Sequence, residues 1–194
     1  AVYCGSNFGN NRDFYLTAKA TGKMLAEKGV ELVYGGGKAG LMGAVADAAL
    51  AAGGRVTGVI PTFLIEKELA HDGLQTLIQT ADMPERKSAM INLADGYIAL
   101  AGGIGTFEEL LEVLSLAQLR QFDKPVGLIN TAGFYNPLIQ LLEDTVAAGF
   151  MPSENLDLLC VADTPEALWQ KMLEWKPTEA QKWQRPAWLD EEGL

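Results

Sequence analysis

Short apolar runs, each closed by glycine, proline or small polar residues, alternate along this chain with longer stretches whose apolar positions return every three or four residues. The runs at 2–4, 31–34, 56–60, 74–80, 97–100, 126–130 and 158–161 read as strands, most of them too continuously apolar to keep one face in water. Helices are predicted from Asn10 or Asn11, as N-cap, to Lys28, closed by Gly29, and along an alanine-rich segment to Ala52, ended by Gly53-Gly54. Further helices are predicted over 82–94, from Thr106 to about Gln121, over 135–148 with Gly149 as stop, and over 164–175. Residues 62–73, with Glu66 and Glu68, fit neither period and read as a short helix or lid. Strands alternating with helices predict a parallel α/β sheet wrapped on both faces. No composition shift or repeat divides the chain, so 1–175 is expected to be one domain. The tail 176–194, with Trp183, Pro186 and Trp188, is too aromatic for a solvated linker and is expected to pack on the body or a partner.

Candidate chemistry concentrates after the run at 97–100. Leu100-Ala101-Gly102-Gly103-Ile104-Gly105-Thr106-Phe107-Glu108-Glu109 sets three glycines within four residues between a strand and a helix. Glycines let the backbone approach an oxygen closely, and the free N–H groups of a first helical turn point at it, so this is a natural anion site. Two carboxylates, Glu108 and Glu109, sit just inside it. Thr106-x-x-Glu109 is equally a capping box, which would make Glu109 structural.

A second glycine loop, Gly35-x-Gly37-x-x-Gly40, matches the dinucleotide fingerprint in its letters and its strand-to-helix setting. The run 56–60 then ends in Pro61-Thr62 without the acid that would hold a ribose hydroxyl, and the loop follows the second strand, so phosphate cradling fits better than NAD binding. A P-loop fails too, since Gly37-Lys38 is followed by Ala39 and the leading glycine position holds Leu32. Two glycine loops on the rim where open parallel sheets bind ligands predict a nucleotide or sugar-phosphate pocket. The helix 82–94 adds Arg86 and Lys87 as cations. Met83, Arg86 and Met90 share a face, which suits a flat base or ribose above a charged group; plain core for the methionines and a solvated turn for Lys87 are the alternatives.

Composition narrows the field. Nearly half of the 194 residues are apolar, enough for a well-buried core. No run has the length and apolarity of a membrane span, and no charged segment precedes an apolar signal core. The chain opens inside an apolar run without methionine, which leads us to expect a few residues ahead of Ala1. A net charge of −10 argues against a nucleic-acid surface, while a local pocket potential still permits anionic small molecules. Cys4 and Cys160 read as small buried hydrophobes in a reducing cytoplasm. His71 is the one histidine, expected as a solvated loop residue at the edge of the pocket. No Cys/His cluster, catalytic triad, Gly-x-Ser-x-Gly elbow or Schiff-base lysine constellation is present, so neither metal nor cofactor is expected.

Three stretches carry a resemblance. Tyr34-Gly35-Gly36-Gly37 with Gly40-Leu41-Met42-Gly43, Met83-Pro84-Glu85-Arg86-Lys87, and Gly102-Gly103-Ile104-Gly105-Thr106-Phe107-Glu108-Glu109 resemble the cytokinin-activating phosphoribohydrolases, the Lonely Guy family, long labelled lysine decarboxylases. Cys4-Gly5-Ser6, Gly58-Val59-Ile60-Pro61, Lys124-Pro125-Val126-Gly127 and Gly149-Phe150 support it, from about Val2 to Phe150, with the chain after Val161 outside. The resemblance implies a Rossmann-like doubly wound fold, a homodimer, and hydrolysis of the N-glycosidic bond of an N6-modified adenosine 5'-monophosphate. It implies Arg86 and Glu109 as the catalytic pair. With the two glycine loops and the helix 82–94 as the pocket, substrate is expected on Ser6, Gly37, Gly40 and Met42, on Met83 and Lys87, and on Gly102, Gly103, Gly105, Thr106 and Glu108. Ala101 stands where the family usually has proline, which should loosen the turn somewhat. A non-catalytic carrier of a nucleotide or molybdenum cofactor is the competing reading, and it would not need both Arg86 and Glu109. The helix 106–121 carries Phe107, Leu110, Leu111 and Leu114 plus a second apolar strip in Val113, Leu116 and Ala117, to be buried in the same chain or in a second subunit. In the latter case Arg120 could reach the partner's site.

Overall fold

The computed structural model describes residues 1–67, 69–178 and Leu189, so Glu68 and the expectation for Trp183, Pro186 and Trp188 lie outside the described residues. Strands β1 (Val2–Tyr3), β2 (Leu32–Tyr34), β3 (Val56–Pro61), β4 (Thr76–Thr80), β5 (Tyr97–Ala99), β6 (Val126–Ile129) and β7 (Leu159–Ala162) form one sheet in the order 4-3-2-1-5-6-7. Every neighbouring pair is parallel. From β1 the chain steps outward to β4, then returns beside β1 as β5 and steps to the other edge. The direction of winding therefore reverses between β1 and β5, which parts the loops that follow them and opens a crevice at the C-terminal ends of the strands.

Helices α1 (Arg12–Glu27), α2 (Gly40–Ala51), α3 (Thr62–Ile65), α4 (Met83–Leu93), α5 (Ile104–Gln118), α6 (Asn136–Ala147) and α7 (Pro165–Glu174) cover the two faces. Alternation along each strand divides the core accordingly. Val2, Leu32, Tyr34 and Ile98 face Ala18, Leu25, Val45 and Leu168 of α1, α2 and α7. Tyr3, Val33, Val59 and Tyr97 face Met90, Leu110 and Val113 of α4 and α5. Burial on both sides explains why the strands read as continuous apolar runs.

Helix starts follow the sequence where a capping side chain exists. Asn11, Asp82 and Thr164 each accept a hydrogen bond from the backbone two or three residues on. The start of α5 differs from the expectation. It begins at Ile104, two residues early, with Gly103 as N-cap and no side-chain cap hydrogen bond. Thr106 is thus inside the first turn rather than ahead of it, and the Thr106–Glu109 capping box does not form. Both side chains are buried instead. The 3-10 turns Thr131–Gly133 and Ser153–Leu158 have no periodic signal and were not expected.

Candidate active site

The loops after β1 and β5 border a cleft of about 360 Å3, closed on its other sides by the loop after β2, by α3 and its following segment, and by α4. Arg86, at the end of the first turn of α4, reaches into it from below. Its guanidinium is fixed by the backbone: Nε donates to the Val59 carbonyl at 3.0 Å and one terminal nitrogen donates to Gly35 O at 3.1 Å. The other terminal nitrogen faces Met83 Sδ at 3.7 Å and Glu109 Oε1 at 3.9 Å. Gly35 has no side chain for a spatial reason: a Cβ there would lie 1.9 Å from the guanidinium. The fingerprint marks Gly35 locally, but its steric reason is an arginine 51 residues away in sequence.

Glu109 projects from α5 into the same space and is 8% exposed, as is Arg86. Burial pushes its carboxyl up to about 7; the Arg86 charge opposes that rise and Glu108 adds to it. A carboxylate near half ionisation at neutral pH, beside a fixed cation in a cleft, is suited to taking or giving a proton. The first turn of α5 ends at the same place. Gly103, Ile104, Gly105 and Thr106 line the cleft, and with no side chain capping the helix its leading N–H groups are available to an anion.

The second glycine loop places Gly35 and Gly37 at the cleft, but several of its N–H groups bond to protein. At its helix start the N–H groups of Leu41 and Met42 both donate to Gly5 O, at 3.0 and 3.3 Å. Gly40, at φ +62, lies so close to the first loop that a Cβ would stand 2.3 Å from the Ser6 carbonyl carbon. Lys38 N–H donates to Leu69 O and His71 N–H to Gly36 O, so the loop also holds the segment after α3 over the cleft. The Lys38, Leu41 and Met42 N–H groups are thus spent on protein, where both glycine loops had been expected to share one phosphate.

Of the other residues expected at the site, Ser6, Gly37, Met42, Met83, Gly103, Gly105, Thr106 and Glu108 border the cleft. Gly40, Gly102 and Lys87 do not. Gly40 packs loop on loop, Gly102 lines a neighbouring hollow with Ala101 and Phe134, and Lys87 pairs with Glu108 and with Glu112 at 3.3 Å. Met90 is core. His71 is not solvated: its ring is 10% exposed, with Nε2 2.9 Å from Asp47 Oδ1 and Nδ1 accepting from Gly73 N–H, outside the cleft. The turn with Ala101 in place of proline is pinned by Gly5 N–H, which donates to the Ala101 carbonyl at 3.0 Å. Tyr3, Cys4, Ile60, Leu64 and Leu69 also line the cleft, unforeseen because they meet there only through the sheet order.

Fold and site together define a Rossmann-like α/β protein with an arginine–carboxylate cleft at its topological switch point. Comparison with known proteins places it more narrowly. The family model described as "Possible lysine decarboxylase" matches residues 42–172. The cytokinin riboside 5'-monophosphate phosphoribohydrolase LOG of Oryza sativa subsp. japonica is 42% identical over 176 residues, 91% of this chain and 73% of that protein. The probable enzyme of the same name, LOGL1, from the same plant is 41% identical over 187 residues, 96% of this chain and 84% of that one. The chain belongs to this family, and the likeness runs well past Phe150, where the motifs alone had ended it. Among solved structures, the molybdenum cofactor binding protein from Rippkaea orientalis superposes with a TM-score of 0.66 at 23% identity, covering 89% of this chain and 94% of that one. That match is one of fold.

Proposed function

We propose that this protein hydrolyses the N-glycosidic bond of adenosine 5'-monophosphates, N6-modified ones included, releasing the free base and ribose 5-phosphate. The observation that carries this reading is the buried Glu109 facing a backbone-clamped Arg86, one turn along α5 from an uncapped helix start. Its place in the family, whose plant members are named for this activity, supports it. The 5'-phosphate sits on the free N–H groups of Ile104, Gly105 and Thr106, which fixes the ribose near Glu109. Met42, Ile60, Leu64, Leu69 and Met83 offer apolar surface to the base. In the reaction the bond from C1' to the base nitrogen breaks, its electron pair leaves with the base, and a water oxygen bonds to C1'. The Glu109 carboxylate faces the positive charge that develops on the ribose and accepts the proton of the attacking water; the departing base takes a proton from a solvent water, and Glu109 then returns its own to solvent. Arg86 holds Glu109 and the phosphate side of the ribose in register, so binding energy from the remote phosphate is used to position the reacting carbon.

Chromatography after incubation with AMP, an N6-alkylated AMP and adenosine tests the reading. Base release from the monophosphates should exceed that from adenosine by about a thousandfold, equivalent to ~4 kcal/mol of phosphate interaction used in the transition state. Equal rates on adenosine would remove the phosphate from the mechanism. No release from any monophosphate would return the protein to a carrier role.

A further inference from the structure

Beside Arg86 and Glu109 lies a second set of charges that the proposed reaction leaves unused. Lys87 follows Arg86 on α4, and Glu108 and Glu112 flank Glu109 on α5. The Lys87 side chain is only 16% exposed; its Nζ donates to Glu108 Oε1 and lies 3.3 Å from Glu112 Oε2. Glu108 and Glu112 stand one helical turn apart, so they repel each other, and the charge of each also acts against an ionised Glu109. Lys87 is inserted into that cluster and does not line the cleft.

We infer that Lys87 is a positioning residue, which ties α4 to α5 and neutralises the two carboxylates flanking Glu109 so that the catalytic carboxylate keeps its place and its charge. This rests on the role given to Glu109 above. The charged and titratable groups facing Glu109 are Arg86 and Lys87 from α4, Glu108 and Glu112 from α5, and Tyr3 and Cys4 from β1 and its end. Tyr3 and Cys4 remain neutral, because burial, reinforced by the Glu109 charge, raises both far above neutrality. Two cations therefore balance three carboxylates. Without Lys87, one cation is left, and an ionised Glu109 meets two uncompensated neighbours. Glu108, which borders the cleft, is then also free to turn toward the space an incoming phosphate must enter. Glu108 and Glu112 are partly exposed, so salt weakens the coupling and low ionic strength shows it best.

The test follows the Glu109 carboxyl directly, by NMR of the ligand-free protein carrying side-chain-labelled glutamate, with Glu109→Gln to assign the signal. In Lys87→Met the titration midpoint of Glu109 should rise by roughly one pH unit at low salt. The triple variant Lys87→Met/Glu108→Gln/Glu112→Gln should bring it back to the wild-type value or below. Glu108→Gln alone, which keeps Lys87 and its contact with Glu112, should lower it, and this variant carries the test if Lys87→Met fails to fold. With AMP as substrate, the acid limb of the kcat profile should move with the midpoint. An unmoved midpoint in the Lys87 and Glu108 variants overturns the proposal. A triple variant as shifted as Lys87→Met makes Lys87 a plain structural tie and overturns it too. A higher KM for AMP with the midpoint unmoved makes Lys87 a phosphate ligand, which overturns the positioning role as well. The titration needs no substrate, so failure to cleave any nucleotide would defeat the proposed function while leaving this question open to its own answer.

Discussion

Glu109 is where two opposing demands meet in a single side chain. A carboxylate is costly to bury, and this one is buried beside an arginine already committed to two backbone carbonyls. Its carboxyl is pushed up to about 7 from an ordinary 4.5. Between those values the folded protein keeps a proton that the unfolded chain has released. Stability therefore falls as pH rises through that window, by on the order of 3 kcal/mol at most, and stays lower above it. Glu109→Gln removes the titration. Relative to the wild type, its melting temperature should improve from pH 5 to pH 8, while turnover drops at least about a hundredfold, the usual scale for losing a charge-stabilising group. Calorimetry at the two pH values beside a turnover assay checks both halves. A Gln variant that keeps its activity would return Glu109 to a structural role. Arg86 was legible in the sequence because it shares a helical face with Met83, whereas the partners of Lys87 were not, since Glu108 lies 21 residues away and pairs with it only once two helices are packed.

Helix α5 shows how far local pattern reaches at the scale of an element. Its body is readable from apolar periodicity, but its start falls two residues ahead of the pattern, because Gly-Ile-Gly looks like a breaker and Thr-x-x-Glu imitates a cap. What overrides the pattern is tertiary: Thr106 and Glu109 are drawn into the interior. At the second glycine loop, too, only the meeting of two loops shows that the Leu41 and Met42 N–H groups are taken by Gly5. At the other end α5 closes with Gln121 N–H donating to Leu116 O and Arg120 N–H to Ala117 O, both at 2.9 Å, the pattern that glycine usually completes. Arg120 occupies the left-handed position, at φ 55, where a Cβ is strained. Its exposed guanidinium makes a 3.4 Å hydrogen bond to Thr178 O, a small offset. Arg120→Gly should therefore stabilise the protein by about 1 kcal/mol, a rise of roughly 2–4 °C in melting temperature for a chain of this size. A lowered melting temperature would show that the contact with Thr178 outweighs the backbone strain.

Across the whole molecule, the parallel sheet follows from strand–helix alternation, while the strand order 4-3-2-1-5-6-7 and the partner surface do not. The strip Val113, Leu116 and Ala117, raised as a candidate interface, is largely interior: Val113 and Ala117 are buried in this chain's own core. Unpartnered apolar surface lies one step round the helix. Leu111 and Leu114 of α5, Ile139 and Leu142 of α6, and Leu156 and Leu158 line a hollow of about 280 Å3. Helix α6 has no fully buried residue although it carries an apolar face, and its Leu141 and the following Phe150 are 60% and 84% exposed. Exposed apolar side chains around such a hollow are the kind of surface that an isologous two-fold contact would bury. We expect light scattering at micromolar concentration to give a particle of twice the 20.9 kDa chain mass. Leu111→Asp combined with Leu142→Asp should halve that mass while leaving the sheet intact by circular dichroism, because neither side chain is fully buried in the isolated chain. Since α5 begins at the cleft and ends at this surface, the monomeric variant should also lose turnover, with KM for AMP rising as the helix start loses its support. A wild-type particle at the single-chain mass would refute the dimer, and a dimer that survives both substitutions would move the interface elsewhere.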